Sequence, residues 1–289
     1  MRERMHAAIV MARRQAFETF LAPGLYATLS AGMLIGFFLV AGFTRSIDSS
    51  GFNAQLSPLY DVISRVASSL FGAAFVEKLF AEGPFVFALF CAFLPVFLFL
   101  AISSVFRFGH EKNAGAIELL TYGPADGTSY FVASFLKDAL FSAASLALLA
   151  LFFCVGALLG NLVPGPLFLE CLPVLFFLSL AVFAYGVLCS VLAANASSAL
   201  AAFLGIMVVF AAVLAGTLSI MSDSIRSLAS IAAAIVQWFS PFYYASLSVR
   251  ATQAGSLAGF LGGMVLLPVL TAVLLAASHG VLSRRGVRA

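Results

Sequence analysis

The sequence predicts an all-α integral membrane protein with six transmembrane helices, and three observations carry that prediction. Hydrophobic residues make up 63% of the chain and charged residues only 9%, against roughly 45–50% and about 25% in a soluble domain. The apolar residues gather into runs of about 20, the length a helix needs to cross a bilayer. The short polar breaks between runs carry Lys and Arg unequally, which is the mark of a chain threaded through a membrane. A soluble fold could not hide so much apolar surface, so the bilayer is the solvent.

Along the chain, residues 2–20 come first. Met5, Ile9, Ala12, Ala16 and Phe20 share one side of a helical wheel opposite Arg4, Arg14 and Glu18, which predicts an amphipathic helix lying on the membrane surface. Arg13 falls near the apolar stripe. The polar lead is too long for a cleaved signal peptide, and no small-residue cleavage site follows the apolar run. The spans are expected at about 25–43, 85–106, 139–159, 167–192, 199–220 and 257–282, within a single unit covering 1–289. Residues 44–83 have mixed charges and read as an ordered loop with helices. The third span ends at Asn161-Leu-Val-Pro-Gly-Pro166, a tight reversal. Residues 221–253 predict short outer helices, with Trp238, Tyr243 and Tyr244 suited to the headgroup level.

Alternating through six crossings puts Arg2, Arg4, Arg13, Arg14, Arg107, Lys112, Lys137, Arg284, Arg285 and Arg288 on the side of the N-terminus and Arg45, Arg65, Lys78, Arg226 and Arg250 on the other. Positive charge collects on the cytoplasmic side, so both termini are expected in the cytoplasm of a cell whose cytoplasmic (inner) membrane holds the chain. A net charge of +3 is too small to indicate nucleic acid as a partner. Cys91, Cys154, Cys171 and Cys189 all fall inside apolar runs and read as small buried hydrophobes. His110-Glu111 resembles the start of a zinc-protease helix, but Ala114 stands where the second His belongs, so no metal site is expected.

Smaller signals lie within the spans. Pro95, Pro173 and Pro268 each remove a backbone donor and are candidate hinges. Gly32 and Gly36, Gly156 and Gly160, and Gly259 and Gly263 have the spacing that lets helices approach closely. Glu170 is the carboxylate placed to enter a span near its outer end.

The most patterned polar stretch is Phe108-Gly-His-Glu-Lys-Asn-Ala-Gly-Ala-Ile-Glu-Leu-Leu-Thr-Tyr-Gly-Pro124. As a short helix from about Glu111 to Thr121 it lines up Glu111, Ala114, Glu118 and Thr121, and Gly123-Pro124 stops it. This stretch resembles the ABC-2 type permeases, the membrane subunits of ATP-binding cassette exporters. Glu111, Gly115, Ile117, Glu118, Leu119, Leu120 and Pro124 stand in the order of that family's coupling helix. Ala12-Arg-Arg-Gln-Ala-Phe-Glu-Thr-Phe-Leu-Ala-Pro23 is similar to the amphipathic helix of the branch with gliding-motility permeases and the accessory permease of nitrous-oxide reductase. Members often place a Lys just before the third span; here that place is Ser134, with Lys137 about one turn later.

The resemblance implies a permease half that pairs with a second copy or paralogue and docks a separate ABC ATPase subunit on residues 111–124. It also implies an outer gate around Trp238, Pro241 and Tyr243, with Glu170 on the pathway. The chain has no phosphate loop of its own, since neither Lys112 nor Lys137 lies in a Gly-Lys-Ser/Thr sequence. It is therefore expected to be a transport subunit, not an enzyme, with no cofactor in this chain and ATP-Mg held by the partner ATPase. Three other readings compete: a membrane subunit that uses the ATPase to drive an envelope process, a membrane-embedded hydrolase, for which the spans lack a paired His, Asp or Ser constellation, and an ion-coupled carrier. The carrier would need charged groups near the bilayer middle, and the sequence shows none.

Overall fold

The computed structural model describes residues 2–48, 65, 84–113, 127–159, 162–220 and 228–285. Among the described residues there is no strand, and six helices are long and apolar enough to cross a membrane. The chain is thus an all-helical, multi-pass membrane protein. In order, the helices are α1 (Arg2–Phe20), α2 (Pro23–Asp48), α3 (Pro84–Asn113), α4 (Gly127–Leu159), α5 (Pro166–Leu192), α6 (Ala196–Ile220), α7 (Leu228–Phe239), α8 (Pro241–Gln253) and α9 (Leu257–Arg285). Helices α2, α3, α5 and α8 all begin at a proline. The first helical position has no intrahelical use for its N–H, so proline costs nothing there and its φ already suits the helix.

Helix α5 is the centre. Of its spanning stretch 78% is buried, against 22% for α2, α6 and α9, so those three present most of their surface outward. Helices α3, α4, α6, α8 and α9 all pack on α5. Phe85 of α3, Phe153 of α4 and Phe168 of α5 meet edge to face with centroids 6.1–6.3 Å apart, and Phe183 of α5 stacks on Phe97 of α3 at 6.4 Å. Such edge-to-face contacts align the positive ring edge with the negative face.

Lipid offers no hydrophobic drive to bring helices together, so close approach depends on small residues. A Cβ at Gly32 would run into the Ala92 carbonyl, and one at Gly36 would stand 2.6 Å from the Phe153 ring. On α9, a Cβ at Gly263 would collide with Ser248 of α8, and one at Gly259 would lie 2.8 Å from the Ala251 Cβ. Nothing comes within 4 Å of a Cβ at Gly156, and Gly160 lies outside the described residues. Pro95, Pro173 and Pro268 sit inside α3, α5 and α9. Each leaves the carbonyl four residues earlier, on Cys91, Leu169 and Met264, without its helical donor.

Two boundaries differ from the sequence expectation. Helix α3 runs on through Arg107 and Glu111 to Asn113, and α4 is helical from Gly127, with its apolar span starting at Val132 and not at 139. Opposite charges explain both: Arg107 and Glu111 pair one turn apart, and Lys137 pairs with Asp138, so neither stretch repels the apolar layer. Glu111 is therefore helical in continuity with α3. The remainder of the expected short helix lies outside the described residues.

The segment between the last two spans is also placed differently from a headgroup-level cap. Tyr185 Oη donates to the Phe239 carbonyl at 2.5 Å, and Tyr244 Oη donates to the Trp238 carbonyl at 2.7 Å. Tyr185 lies nineteen residues past the start of α5, about 28 Å along it at 1.5 Å per residue. The bend between α7 and α8 thus reaches deep into the bundle, where Tyr244 packs with Ala181 and Leu267. Trp238 is 70% exposed, Pro241 opens α8 from a buried position, and Tyr243 is half-buried, as is Glu170 in the first turns of α5.

Substituting Gly32→Ala is expected to lower stability by about 1–3 kcal/mol through overpacking against a backbone carbonyl, while Gly156→Ala is neutral or stabilising by up to about 1 kcal/mol. Midpoints of thermal unfolding in one detergent will separate the two; equal midpoints would contradict the close packing of α2 on α3.

Candidate functional site

The functional region is built where α1, the end of α3 and the start of α4 meet, on either side of residues 114–126. Arg107 Nε lies 3.0 Å from Glu111 Oε1, one turn further along α3. The other side of the same guanidinium pairs with Glu18 of α1, and Glu18 in turn holds Arg14 Nε at 3.1 Å. Glu111 Oε2 accepts a hydrogen bond from the Tyr130 hydroxyl at the start of α4. A guanidinium and a phenol both donate to the Glu111 carboxylate. One chain of donors and acceptors thus joins three helices.

Burial decides which links matter. The Arg107 and Glu111 side chains are 28% and 24% exposed and Glu18 is 42% exposed, whereas Arg14 is 83% exposed and contributes little. Glu18 is held below the usual carboxylate range: partial burial works against this, and the Arg107 and Arg14 guanidiniums outweigh it. Burial, reinforced by the Glu111 carboxylate, pushes the Tyr130 phenol well above its ordinary range, so it stays a donor. Its ring rests on Phe108 at 6.0 Å and on Val187 and Val191 of α5, which seats the network on an apolar floor.

Two turns above Tyr130 lies a feature the sequence reading placed outside the span. Lys137 and Asp138 are 3% and 0% exposed, and Lys137 Nζ stands 2.8 Å from Asp138 Oδ1. Asp138 is six residues inside the α4 span, about 9 Å in. Ser104 and Arg107 of α3 face its carboxylate, yet neither oxygen has an aligned hydrogen bond among the described residues. Above it, Ser142 and Ser179 share a hydrogen bond of 2.6 Å between α4 and α5. Tyr130, Ser134, Asp138, Ser142 and Ser145 recur at steps of three and four, so they form one buried polar stripe climbing α4.

Of the residues singled out from the sequence, Glu111 is the one the structure draws into this network. Gly115, Ile117, Glu118, Leu119, Leu120 and Pro124 lie outside the described residues. Glu170, Trp238, Pro241 and Tyr243 belong to α5 and the α7–α8 hairpin, away from it. Sequence reading missed Glu18, Arg107, Tyr130 and the Lys137–Asp138 pair. An opposite-sign doublet in an otherwise apolar stretch, and Arg and Glu four apart at a span's end, were the available signals.

The face of α1 also differs from the wheel. Ala12 and Ala16 pack inward as expected, but Gln15 and Thr19 are buried beside them while Ile9 and Phe20 are more than half exposed. In lipid, large apolar side chains need not be buried in protein, so the side that packs on α4 is the one with small and hydrogen-bonding residues.

A comparison with protein-family models and with curated proteins returned no match.

Lys137→Met or Asp138→Leu alone is expected to destabilise the protein by about 3–5 kcal/mol, because each strands a buried charge, whereas the double replacement costs far less. Unfolding midpoints of the four proteins measure this; additive losses would show that the two side chains do not pair. Acidification supplies a second check. Because the Glu18 carboxyl is lowered in the folded state, its contribution is complete above the unfolded value and is lost as pH falls through the folded one. The protection of α1 amides, measured relative to their intrinsic exchange rate at each pH, should therefore fall as pH drops below the ordinary carboxylate range, and Glu18→Gln should flatten that dependence.

Proposed function

We propose that this chain is the membrane subunit of an ABC-2 type exporter, docking a separate ATPase subunit on residues 111–121 and moving its cargo between itself and a second copy or paralogue. The observation that carries this reading is the Glu18–Arg107–Glu111–Tyr130 network. It fastens both stems of the loop, the end of α3 and the start of α4, to each other and to the N-terminal helix. A push on the loop would then move α1, α3 and α4 together, which is what a coupling element needs.

The acidic face built by Glu111 and Glu118 suits a basic or polar groove on a soluble partner. In this reading both termini and the loop face the cytoplasm, α1 lies along the inner surface, and ATP with its magnesium belongs to the partner. The prolines of α3, α5 and α9 supply places for these spans to bend, and the bend between α7 and α8, with Trp238, Pro241 and Tyr243, would border the route from within the bundle.

Purification from native membranes under mild conditions should bring an ATP-hydrolysing subunit with the wild-type chain, and Glu118→Lys should abolish its recovery. Arg107→Gln should leave recovery intact while uncoupling hydrolysis from transport in vesicles. Absence of any ATPase from the wild-type preparation would sink the proposal.

A further inference from the structure

Beside the buried face of α1 runs a second stripe, Val10, Arg13, Arg14, Phe17 and Phe20. With Leu140, Phe141 and Ala144 of α4 it encloses a groove of about 760 Å³. Ala16 and Ala144 keep the floor open, and Phe17, Phe20 and Leu140 form the walls. Those three side chains are 64%, 55% and 59% exposed, so nothing among the described residues covers them. The polar side chains of the lining are Arg13 and Arg14. Arg14 is committed to Glu18; Arg13 has no ion-pair partner among the described residues.

We infer that this groove is a binding site for an anionic phospholipid, one acyl chain lying between α1 and α4 and the headgroup phosphate on Arg13. Charge complementarity selects the occupant. An apolar trough with a guanidinium free of ion pairs in its lining matches a molecule that joins a hydrocarbon chain to a phosphate, and guanidinium forks bind phosphate oxygens in pairs. Apart from the buried Lys137, the nine Lys and Arg that six crossings place on this side of the chain mark it as the one that meets the anionic leaflet. A bound lipid would complete the contact of α1 with α4 and so support the helix that holds Glu18 on Arg107. The inference does not depend on what the protein transports.

The test uses the full-length protein, purified and stripped of lipid, with phosphatidylglycerol, phosphatidylcholine of the same chains, or soluble glycerophosphate added. Native mass spectrometry counts retained lipid, and the unfolding midpoint reports its effect. Phosphatidylglycerol should bind and raise the midpoint more than phosphatidylcholine does. Arg13→Gln should weaken its retention about tenfold, the loss of one charged hydrogen-bonding partner. Ala144→Phe, which fills the groove from an exposed position without touching Arg13, should weaken both lipids. Glycerophosphate should neither bind nor compete, since it lacks the chain. Equal retention of the two lipids by the wild type, or unchanged retention of phosphatidylglycerol by either variant, would overturn the site; so would competition by glycerophosphate alone. Trp238→Ala, on the distant α7, serves as the control that should retain lipid as the wild type does.

Discussion

Arg107 sits where α3 leaves the apolar layer, and the arrangement of that end of the molecule depends on how its guanidinium is shared. Five donors in a fixed plane can serve two carboxylates at once, and here they serve Glu111 on the same helix and Glu18 on α1. Through Glu111 the pairing extends to Tyr130. The end of α3 and the beginning of α4 are thereby held at one separation, and α1 is held across both.

Deeper in the bundle the governing condition is that polar groups find partners without water. Most buried hydroxyls do so locally: Ser248, Thr271 and Ser278 each donate to the carbonyl one turn back, at 3.1, 2.9 and 2.8 Å. The break between α7 and α8 cannot rely on its own helix, so Tyr185 and Tyr244 supply hydroxyls to the carbonyls of Phe239 and Trp238. Lys137 and Asp138 meet the same condition by pairing with each other. Removing both charges would suit the lipid-like interior better than keeping them, and their presence on the polar stripe above Tyr130 continues the line of the network into the span.

Much of the fold was legible because membrane crossing is a one-dimensional requirement. Length and hydropathy alone mark α2, α3, α5 and α9, and the turn residues before Pro166 mark a reversal. Legibility failed where a charge is neutralised by something not adjacent on a hydropathy plot. Arg107 and Glu111 looked like the end of a span and the start of another element; Lys137 and Asp138 looked like solvent-exposed flank. Tyr244 looked like a headgroup anchor, yet the Trp238 carbonyl at a buried bend accepts from its hydroxyl.

The sequence by itself determined that the chain is helical, that six of its helices can span a bilayer, and where most of them begin and end. These follow from the cost of exposing charge and unpaired backbone to lipid, which each segment meets or fails alone. Only the tertiary structure decided that Glu18, Arg107, Glu111 and Tyr130 form one network, that Asp138 is inside and paired, and that the α7–α8 bend is deep. Each of those depends on which groups from distant segments arrive within hydrogen-bonding reach, and no local pattern carries that distance.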